Sequence, residues 1–511
     1  MIRSRILLLS ILFTAAIGCL FPILASCKKI FSEDRQQQQS GLKFGVLDRH
    51  GNEVFPPKFS WVSDFSNGYA NAALWKAIKN VSERPEDYSP CNWHDNVVDT
   101  VILRKDGVLV KSIRETSLKA KLYREAVYPY RCVEAKQGCE LIAIDGSVVG
   151  GPFSKCLAMS ADMSVVANGD SYYLFIPKST LKPLPSLRAA ESGNSSKLFA
   201  VQTGTGCGAV GRDGKFIIPP KFSTISCTSN DIAFANAGGL SLEERSWLIY
   251  GSDGKLKTKE TFSSVGSIQG ALISVAVRKH GKELWGIIND NGQIVLAPEY
   301  QRVELFPENL AIVTDHTQNV RIFSTRSKSP GRQYTELVYI GNSLFAFRGA
   351  DNNPAYGLVD LNDRVIKSRN FAEVVSNTRG KADSWSALAS VLVNGKKRWG
   401  TINSQGRWLI EPKFASLIYL GSNIYAFRSG DDGSLYGLVD SRGNEFKAPR
   451  FAELTPNFTL GTEMWTCPAS IFENSRQKWG WINAQGDWVI RPRYESAGNF
   501  SDGVAVFGVS P

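Results

Sequence analysis

The chain has 511 residues, of which 43% are hydrophobic and 21% charged, a composition typical of a folded globular protein rather than a disordered one. The net charge is +11, but the 59 basic and 48 acidic residues are mixed along the chain. A positive net charge favours contact with an anionic surface, but no cluster of basic residues in the sequence indicates a nucleic-acid site. We therefore expect no nucleic-acid partner and interpret the excess charge as a solvated basic surface.

The N-terminus has the layout of a bacterial signal peptide. A short basic start that includes Arg3 precedes an apolar stretch over residues 6–25. Residues 24–27, with the sequence LASC, resemble the lipobox of bacterial lipoproteins. This resemblance implies cleavage before Cys27 and attachment of lipid to that cysteine. Cys19 offers a rival cleavage point, and an uncleaved apolar stretch of this length is also long enough to span a bilayer.

We predict four parts along the chain. They are a lipoprotein signal peptide over residues 1–26, a polar tether over 27–40, partly degenerate N-terminal β-repeats over 41–270 and C-terminal β-repeats over 271–511. Lys28 follows the expected modified cysteine, and in lipoproteins of Gram-negative bacteria this pattern implies the outer membrane. The expected location is the cell envelope, with the chain held to the membrane by its lipid.

A short phrase recurs from Phe44 onwards with a period of about 40 residues. It reads aromatic-Gly, a few apolar residues, Asp or Asn, a turn that ends in Gly, an apolar run, and then Pro before a charged residue and an aromatic. The aromatic-Gly pairs are Phe44-Gly45, Trp285-Gly286, Tyr356-Gly357, Trp399-Gly400, Tyr436-Gly437 and Trp479-Gly480. The turn glycines are Gly51, Gly107, Gly146, Gly214, Gly254, Gly292, Gly406, Gly443 and Gly486. The spacing predicts about twelve units.

Each unit reads as three or four short antiparallel strands. In the copy at Trp285, residues 271–277 and 284–288 are β-type runs, and residues 289–292 form a tight turn. Pro298 ends the third run, because proline donates no hydrogen bond to a β-ladder. The aromatic brings a large apolar surface, and the neighbouring glycine leaves room for another backbone or ring. We therefore interpret the aromatics as packing residues rather than as a ladder for sugar rings.

These residues resemble the WG-repeat family, which is named for its Trp-Gly pair. The resemblance covers nearly all of residues 41–511 and is weakest over residues 82–200, where the Trp-Gly pair is absent. It implies a bacterial β-repeat protein that acts as a binding or interaction module. The predicted fold is all-β, with tandem antiparallel repeats of about 40 residues arranged as β-propeller-like blades, or alternatively as an open β-solenoid.

One feature favours closure of the blades into a ring. The first copy begins at its Phe44-Gly45 strand and lacks the strand before it, while the chain ends in a strand-like run over residues 503–509. The C-terminus could therefore complete the first unit. About twelve units exceed the usual propeller of about four to eight blades, so we expect two smaller rings or an open stack rather than one large ring.

The cysteines allow one disulfide and indicate no metal site. Cys132 and Cys139 flank a predicted hairpin and could form a disulfide in an oxidising compartment. The spacing of the cysteines resembles no zinc site. We expect no metal and no cofactor, and we interpret most of the other cysteines as small buried residues.

No arrangement of residues in the sequence predicts catalysis. His50 and His280 fall in predicted turns, and Cys91 and His94 form a Cys/His pair without a separate orienting residue. Residues 204–208 resemble a phosphate loop only superficially, because no helix pattern follows them. Aspartates recur where strands meet turns, and turn capping explains them better than calcium binding.

We therefore expect a non-enzymatic envelope lipoprotein whose repeat scaffold binds an envelope protein or a glycan through its loops. The irregular stretch over residues 82–200 is the expected binding surface. The alternatives are a propeller-type hydrolase, in which acidic or histidine side chains converge from several units, and a purely structural spacer.

Overall fold

The computed structural model describes residues 42–74, 98–115, 130–135, 138–143, 145–160, 162–191, 195–241, 243–325, 330–349, 351, 353–376, 385–431, 435–457 and 465–510. The regular structure within these ranges consists of 44 β-strands. No helix in the described ranges is long and apolar enough to cross a membrane. The prediction of an all-β protein is confirmed.

The strands are short and follow one another closely along the chain. The N-terminal part has β1 (Lys43–Asp48), β2 (Glu53–Val62), β3 (Tyr69–Leu74), β4 (Val98–Arg104), β5 (Leu109–Glu115), β6 (Tyr130–Ala135), β7 (Gly138–Ala143), β8 (Val148–Phe153), β9 (Lys155–Ser160), β10 (Met163–Asn168), β11 (Ser171–Phe175), β12 (Lys182–Leu184), β13 (Ala189–Ala190), β14 (Leu198–Gln202) and β15 (Cys207–Gly211). The middle part has β16 (Phe216–Phe222), β17 (Thr224–Cys227), β18 (Ile232–Asn236), β19 (Trp247–Gly251), β20 (Ser264–Gln269), β21 (Leu272–Lys279), β22 (Lys282–Asn289), β23 (Ile294–Tyr300), β24 (Arg302–Phe306), β25 (Leu310–Thr314), β26 (Val320–Ser324), β27 (Glu336–Gly341), β28 (Leu344–Arg348), β29 (Tyr356–Asp360) and β30 (Val365–Phe371). The C-terminal part has β31 (Glu373–Ser376), β32 (Ala387–Val393), β33 (Lys396–Ile402), β34 (Trp408–Phe414), β35 (Ser416–Gly421), β36 (Ile424–Arg428), β37 (Tyr436–Asp440), β38 (Glu445–Phe451), β39 (Glu453–Leu454), β40 (Thr466–Glu473), β41 (Arg476–Asn483), β42 (Trp488–Tyr494), β43 (Ser496–Ala497) and β44 (Val504–Val509).

Most strands pair with their neighbours in the chain, in antiparallel sheets of three or four strands such as β20-β21-β22-β23. One larger sheet has the order β43-β44-β1-β2-β3-β4-β5, in which β2 pairs with β1 mainly through its first half and with β3 through its second. With β2 as the border between two blades, the described strands form twelve blades. Blade 1 holds β43, β44, β1 and the first half of β2, and blade 2 holds the second half of β2 with β3–β5. The remaining sheets, β6–β8, β9–β12, β13–β16, β17–β19, β20–β23, β24–β26, β27–β30, β31–β34, β35–β38 and β39–β42, are blades 3 to 12 in chain order.

Local turn chemistry determines where these strands end. All nine predicted turn glycines have positive φ, between 67° and 91°, a conformation that glycine adopts without steric cost. In five of these turns the Asp or Asn at the start accepts hydrogen bonds from the backbone that follows. In the other four, at Gly107, Gly146, Gly214 and Gly254, the Asp directly before the glycine accepts such a bond. Asp440 Oδ1 accepts from the N–H groups of Arg442 and Asn444, each at 2.9 Å. Asn483 makes the same pair of bonds in blade 12. The turn-capping interpretation of these residues is confirmed.

Each blade packs against the next, and the last blade packs against the first. Buried apolar clusters join successive blades from blade 1 to blade 12. In one of them Ile249 of blade 6 meets Val275 of blade 7. The last cluster joins Trp481 of blade 12 to Phe507 of blade 1. The blades thus form one closed cycle, and the expectation of two smaller rings or an open stack is wrong. Both faces of every blade are apolar, and an open stack would leave one such face exposed at each end.

The first and last described strands of the chain meet in blade 1. β44 pairs with β1 in antiparallel register along the full length of β1. Side chains from the C-terminal turn also reach blade 2, since the backbone N–H of Gly68 donates to Asp502 at 2.6 Å. The hydroxyl of Ser501 donates to the carbonyl oxygen of Phe65. The prediction that the C-terminus completes the first unit is confirmed.

The predicted division into N-terminal and C-terminal repeats does not coincide with a structural border. The point between residues 270 and 271 falls inside blade 7, between the paired strands β20 and β21. The two sets of repeats therefore share a blade, because the packing is continuous from one blade to the next. The predicted signal peptide over residues 1–26 lies outside the described residues, and so does the tether over residues 27–40.

Candidate functional sites

The repeated aromatics of the phrase lie between blades. Trp285, Trp399 and Trp479 are partly buried, and each packs against the apolar cluster shared with the following blade. Trp481 is fully buried, and its indole N–H donates to the carbonyl oxygen of Gly498 at 2.9 Å. Burial of large rings at each interface stabilises the stack of blades. The aromatic of the phrase is therefore a structural residue.

The glycine after the aromatic is required by a close approach of the next strand. A Cβ at Gly400 would lie 2.2 Å from the carbonyl oxygen of Ile410, and a Cβ at Gly480 would lie 2.4 Å from that of Ile490. The register between β33 and β34 shifts at this point, as in a β-bulge. The bulged strand is the edge of its blade and carries the proline of the phrase, here Pro412. Bulge and proline together discourage pairing of this edge with another chain.

Blades 9 and 11 each have an arginine that stacks on the tyrosine of the phrase. The guanidinium carbon of Arg348 lies 4.0 Å from the ring centroid of Tyr356, and that of Arg428 lies 4.0 Å from the ring centroid of Tyr436. In blade 9, Glu336 also pairs with Arg348 at 3.0 Å and accepts the hydroxyl proton of Tyr356 at 2.7 Å. Burial, together with this carboxylate, raises the pKa of Tyr356 to about 12. The tyrosine thus stays protonated, and the stacking covers the exposed side of its ring.

Three cysteine sulfurs meet where blade 3 packs against blade 4. Cys139 of β7 forms a disulfide with Cys156 of β9. The Sγ atoms of Cys132, Cys139 and Cys156 all lie within 4.8 Å of one another. The pairing of Cys132 with Cys139 expected from the sequence is thus replaced by a bond between blades. Within the hairpin, Cys139 lies opposite Glu134 and only diagonally across from Cys132. Packing of blade 3 on blade 4 brings Cys156 of β9 to Cys139 instead.

Three further cysteines in the described residues are buried in other blades. Cys207, Cys227 and Cys467 have exposed fractions of 9%, 8% and 0%. Burial raises the pKa of all three thiols, and that of Cys227 reaches about 12. The reactive thiolate form is therefore rare at neutral pH. These residues agree with the interpretation of most cysteines as small buried residues.

The three histidines in the described residues and the glycine-rich loop lie in or beside turns. His50, His280 and His316 are exposed, and the backbone N–H of His50 donates to the turn residue Asp48 at 2.8 Å. Residues 204–208 belong to the hairpin that joins β14 to β15, as predicted. None of these positions is part of the cysteine cluster described above.

Hydrogen bonds hold several turn aspartates in their charged form. The hydroxyl of Thr317 donates to Asp315 at 2.6 Å and is the main reason that the pKa of this carboxyl is lowered. The hydroxyl of Ser147 does the same for Asp145, also at 2.6 Å. Asn403 occupies the place of Asp315 in the turn of blade 10 without a charge. The position therefore needs an acceptor for the turn rather than a negative charge.

Only part of the expected binding surface is described. Within residues 82–200, β6–β12 form blades 3 and 4 even though the Trp-Gly pair is absent there. Buried aliphatic residues such as Leu141 and Val165 support these blades instead. The Cys91 and His94 pair lies outside the described residues, as does the predicted lipidation site Cys27.

The fold and the use of the repeat define the class of the molecule, an all-β repeat protein with β-propeller-like blades. The family model for the WG containing repeat matches the chain at five places. The matched segments are residues 44–72, 208–240, 285–315, 399–431 and 479–508. The chain therefore carries WG repeats, as the sequence indicated. No curated protein is significantly similar to it in sequence.

Several solved structures share a limited likeness with the chain. BamB from Moraxella catarrhalis is 10% identical with a TM-score of 0.22, over 62% of this chain and 92% of that one. The WD40 beta propeller domain of Doa1 is 10% identical with a TM-score of 0.19, over 46% of this chain and 88% of that one. The computationally designed Ika8 protein is 13% identical with a TM-score of 0.23, over 65% of this chain and 98% of that one.

Proposed function

We propose that the protein is a non-enzymatic lipoprotein of the bacterial cell envelope whose WG-repeat scaffold binds a protein or glycan partner through its loops. The observation that carries this proposal is the structural use of the repeat. Its aromatics pack between blades, its glycines admit a close strand or form turns, and its Asp and Asn residues cap turns. Binding is then left to connections that differ from blade to blade.

A lipid anchor at Cys27 is supported by the LASC sequence over residues 24–27 and the apolar stretch before it. The test is growth of expressing cells with labelled palmitate. We expect label in the natural chain and in Cys19→Ala, which removes only the rival cleavage point, and no label in Cys27→Ala. Label retained by Cys27→Ala, or no label in the natural chain, would contradict the anchor and its expected outer-membrane location.

The connection between β3 and β4 is the best candidate for a partner-binding loop. The two strands are paired neighbours, with Ala73 opposite Thr100, and residues 75–97 join them. The corresponding connection in blade 7 is only His280 and Gly281, between β21 and β22. The scaffold itself therefore needs no long segment here, and the additional residues are available for recognition.

The partner can be sought by chemical cross-linking in envelope fractions, with the tagged full chain as bait. The informative variant replaces residues 76–96 by a short Gly-Ser linker, which leaves β3 and β4 paired. A linker in place of residues 432–434, between β36 and β37, is the control. We expect a partner that the natural chain and the control retain and the informative variant loses. Equal retention by all three would exclude this loop, and no retained partner would favour a structural spacer. Hydrolysis of envelope glycans by the purified chain would contradict a non-enzymatic role.

A further inference from the structure

The cluster of Cys132, Cys139 and Cys156 contains one sulfur more than a disulfide requires. The three residues come from β6, β7 and β9, so two neighbouring strands of blade 3 and the first strand of blade 4 converge on one point. Cys139 is buried, and the other two are partly buried. Apolar residues surround the cluster, among them Tyr130 and Phe153. Three converging cysteine sulfurs are a ligand set that soft metal ions bind, and apolar surroundings limit the access of water to such a site.

We propose that these three cysteines form a binding site for a soft monovalent metal cation, Cu(I), when Cys139 and Cys156 are in the thiol form. Sulfur ligands lie about 2.3 Å from metals of this size, so three sulfurs around one ion are about 4 Å apart. The three Sγ atoms already lie within 4.8 Å of one another. Small side-chain rotations on fixed strands therefore complete a three-sulfur site.

The composition of the cluster selects the class of metal. Thiolates prefer soft ions, whereas calcium and magnesium take oxygen ligands. A structural zinc site has four ligands, usually cysteine or histidine. Among the residues that the structure describes, the group close enough to share an ion consists of these three cysteines. Three sulfurs complete a site for a soft monovalent ion such as Cu(I), whereas a structural zinc ion would require a further ligand besides them.

The disulfide and the metal use the same two sulfurs and so exclude each other. Opening of the disulfide takes two electrons. Two thiol molecules of a reductant form their own disulfide, while Cys139 and Cys156 each gain a proton. Cu(I) then displaces the three thiol protons and binds the thiolates, so binding should weaken as the pH falls. The site is in the ring itself, and the proposal is independent of the lipid anchor.

The test uses the full chain in detergent, reduced with a phosphine, which opens a disulfide without adding a competing thiol. Cu(I) is then titrated against the chromogenic chelator bicinchoninate. We expect one Cu(I) bound through this cluster, and binding at least about tenfold weaker in Cys132→Ser, because even outer-shell changes at metal sites cost this much. Cys207→Ser is the matched control, since Cys207 is in blade 5 and its Sγ donates to the carbonyl oxygen of Ser223 at 3.5 Å, a bond that a serine hydroxyl can keep.

Three outcomes would overturn the proposal. The first is that the reduced natural chain, with its thiols confirmed by titration, binds no Cu(I). The second is equal affinity in Cys132→Ser and in the natural chain, which would place the metal elsewhere. The third is equal affinity in the unreduced chain, because two of the three ligands are then tied up in the disulfide. Circular dichroism of each variant shows whether it keeps its β-fold.

Discussion

Truncation of Phe507 to alanine tests the seam between the first and last described strands, β1 and β44. The Phe507 side chain is 1% exposed, and its ring centroid lies 4.7 Å from that of Tyr494 in the cluster that joins blade 12 to blade 1. A Cβ at Gly45 of β1 would lie 2.6 Å from the Phe507 ring, so the space left by the truncation opens onto the N-terminal strand. Removal of a buried phenylalanine side chain costs about 3–5 kcal/mol.

Hydrogen exchange of the β1 amides measures this loss of stability at the seam between β1 and β44. β1 pairs with β44, and a seam that opens more often exposes amides at the opposite end of the sequence. If exchange follows the opening equilibrium, a loss of about 3–5 kcal/mol makes it about 100- to 4,000-fold faster in β1. Phe472→Ala is the control, since that side chain is 62% exposed and its removal should change stability by less than about 0.5 kcal/mol. Unchanged exchange in β1 alongside faster exchange in β44 would refute the closed ring.

Three further predictions concern the glycine, the turns and the disulfide. Gly400→Ala should destabilise the fold by about 1–3 kcal/mol in urea unfolding, because the new Cβ meets a backbone oxygen, whereas Gly204→Ala has open space and should be nearly neutral; equal effects would contradict the need for glycine beside the bulge. Asp315 has a lowered pKa in the folded state, so its contribution to stability is present above its unfolded pKa and is lost as the pH falls through the folded value. Asp315→Asn should therefore reduce the loss of thermal stability between neutral and acidic pH, and an unchanged pH profile would exclude this role. Peptide mapping of unreduced protein should recover Cys139 linked to Cys156, and recovery of any other partner for either residue would contradict the packing of blades 3 and 4.

The strands and turns of this protein were predictable because their causes are local. A turn glycine such as Gly292 adopts positive φ, and the preceding Asn289 caps the same turn through bonds to residues at most four positions away. The packing role of Trp285 was also predictable from the sequence, because a large aromatic ring that recurs in several repeats has to be buried between them. Because the first repeat begins at the strand that contains Gly45, the sequence also predicted that the C-terminal strand would pair with it.

The positions that the sequence could not assign depend on residues from different blades. Cys139 bonds to Cys156 rather than to Cys132 because packing of blade 3 on blade 4 places β9 beside β7. The spacing of cysteines along one hairpin contains no information about that contact. The long connection over residues 75–97 stands out only when its flanking strands are seen to be ordinary paired neighbours.

The sequence by itself determined an antiparallel β-repeat, its turns, its packing aromatics and its family resemblance, because each follows from residue types a few positions apart. Only the tertiary structure decided that all twelve blades belong to one ring, that no border exists near residue 270 and that three cysteines share one point. The physical reason is that the apolar faces of the blades can be covered by more than one arrangement. The choice among these arrangements depends on how every blade fits its two neighbours, and no single repeat contains that information.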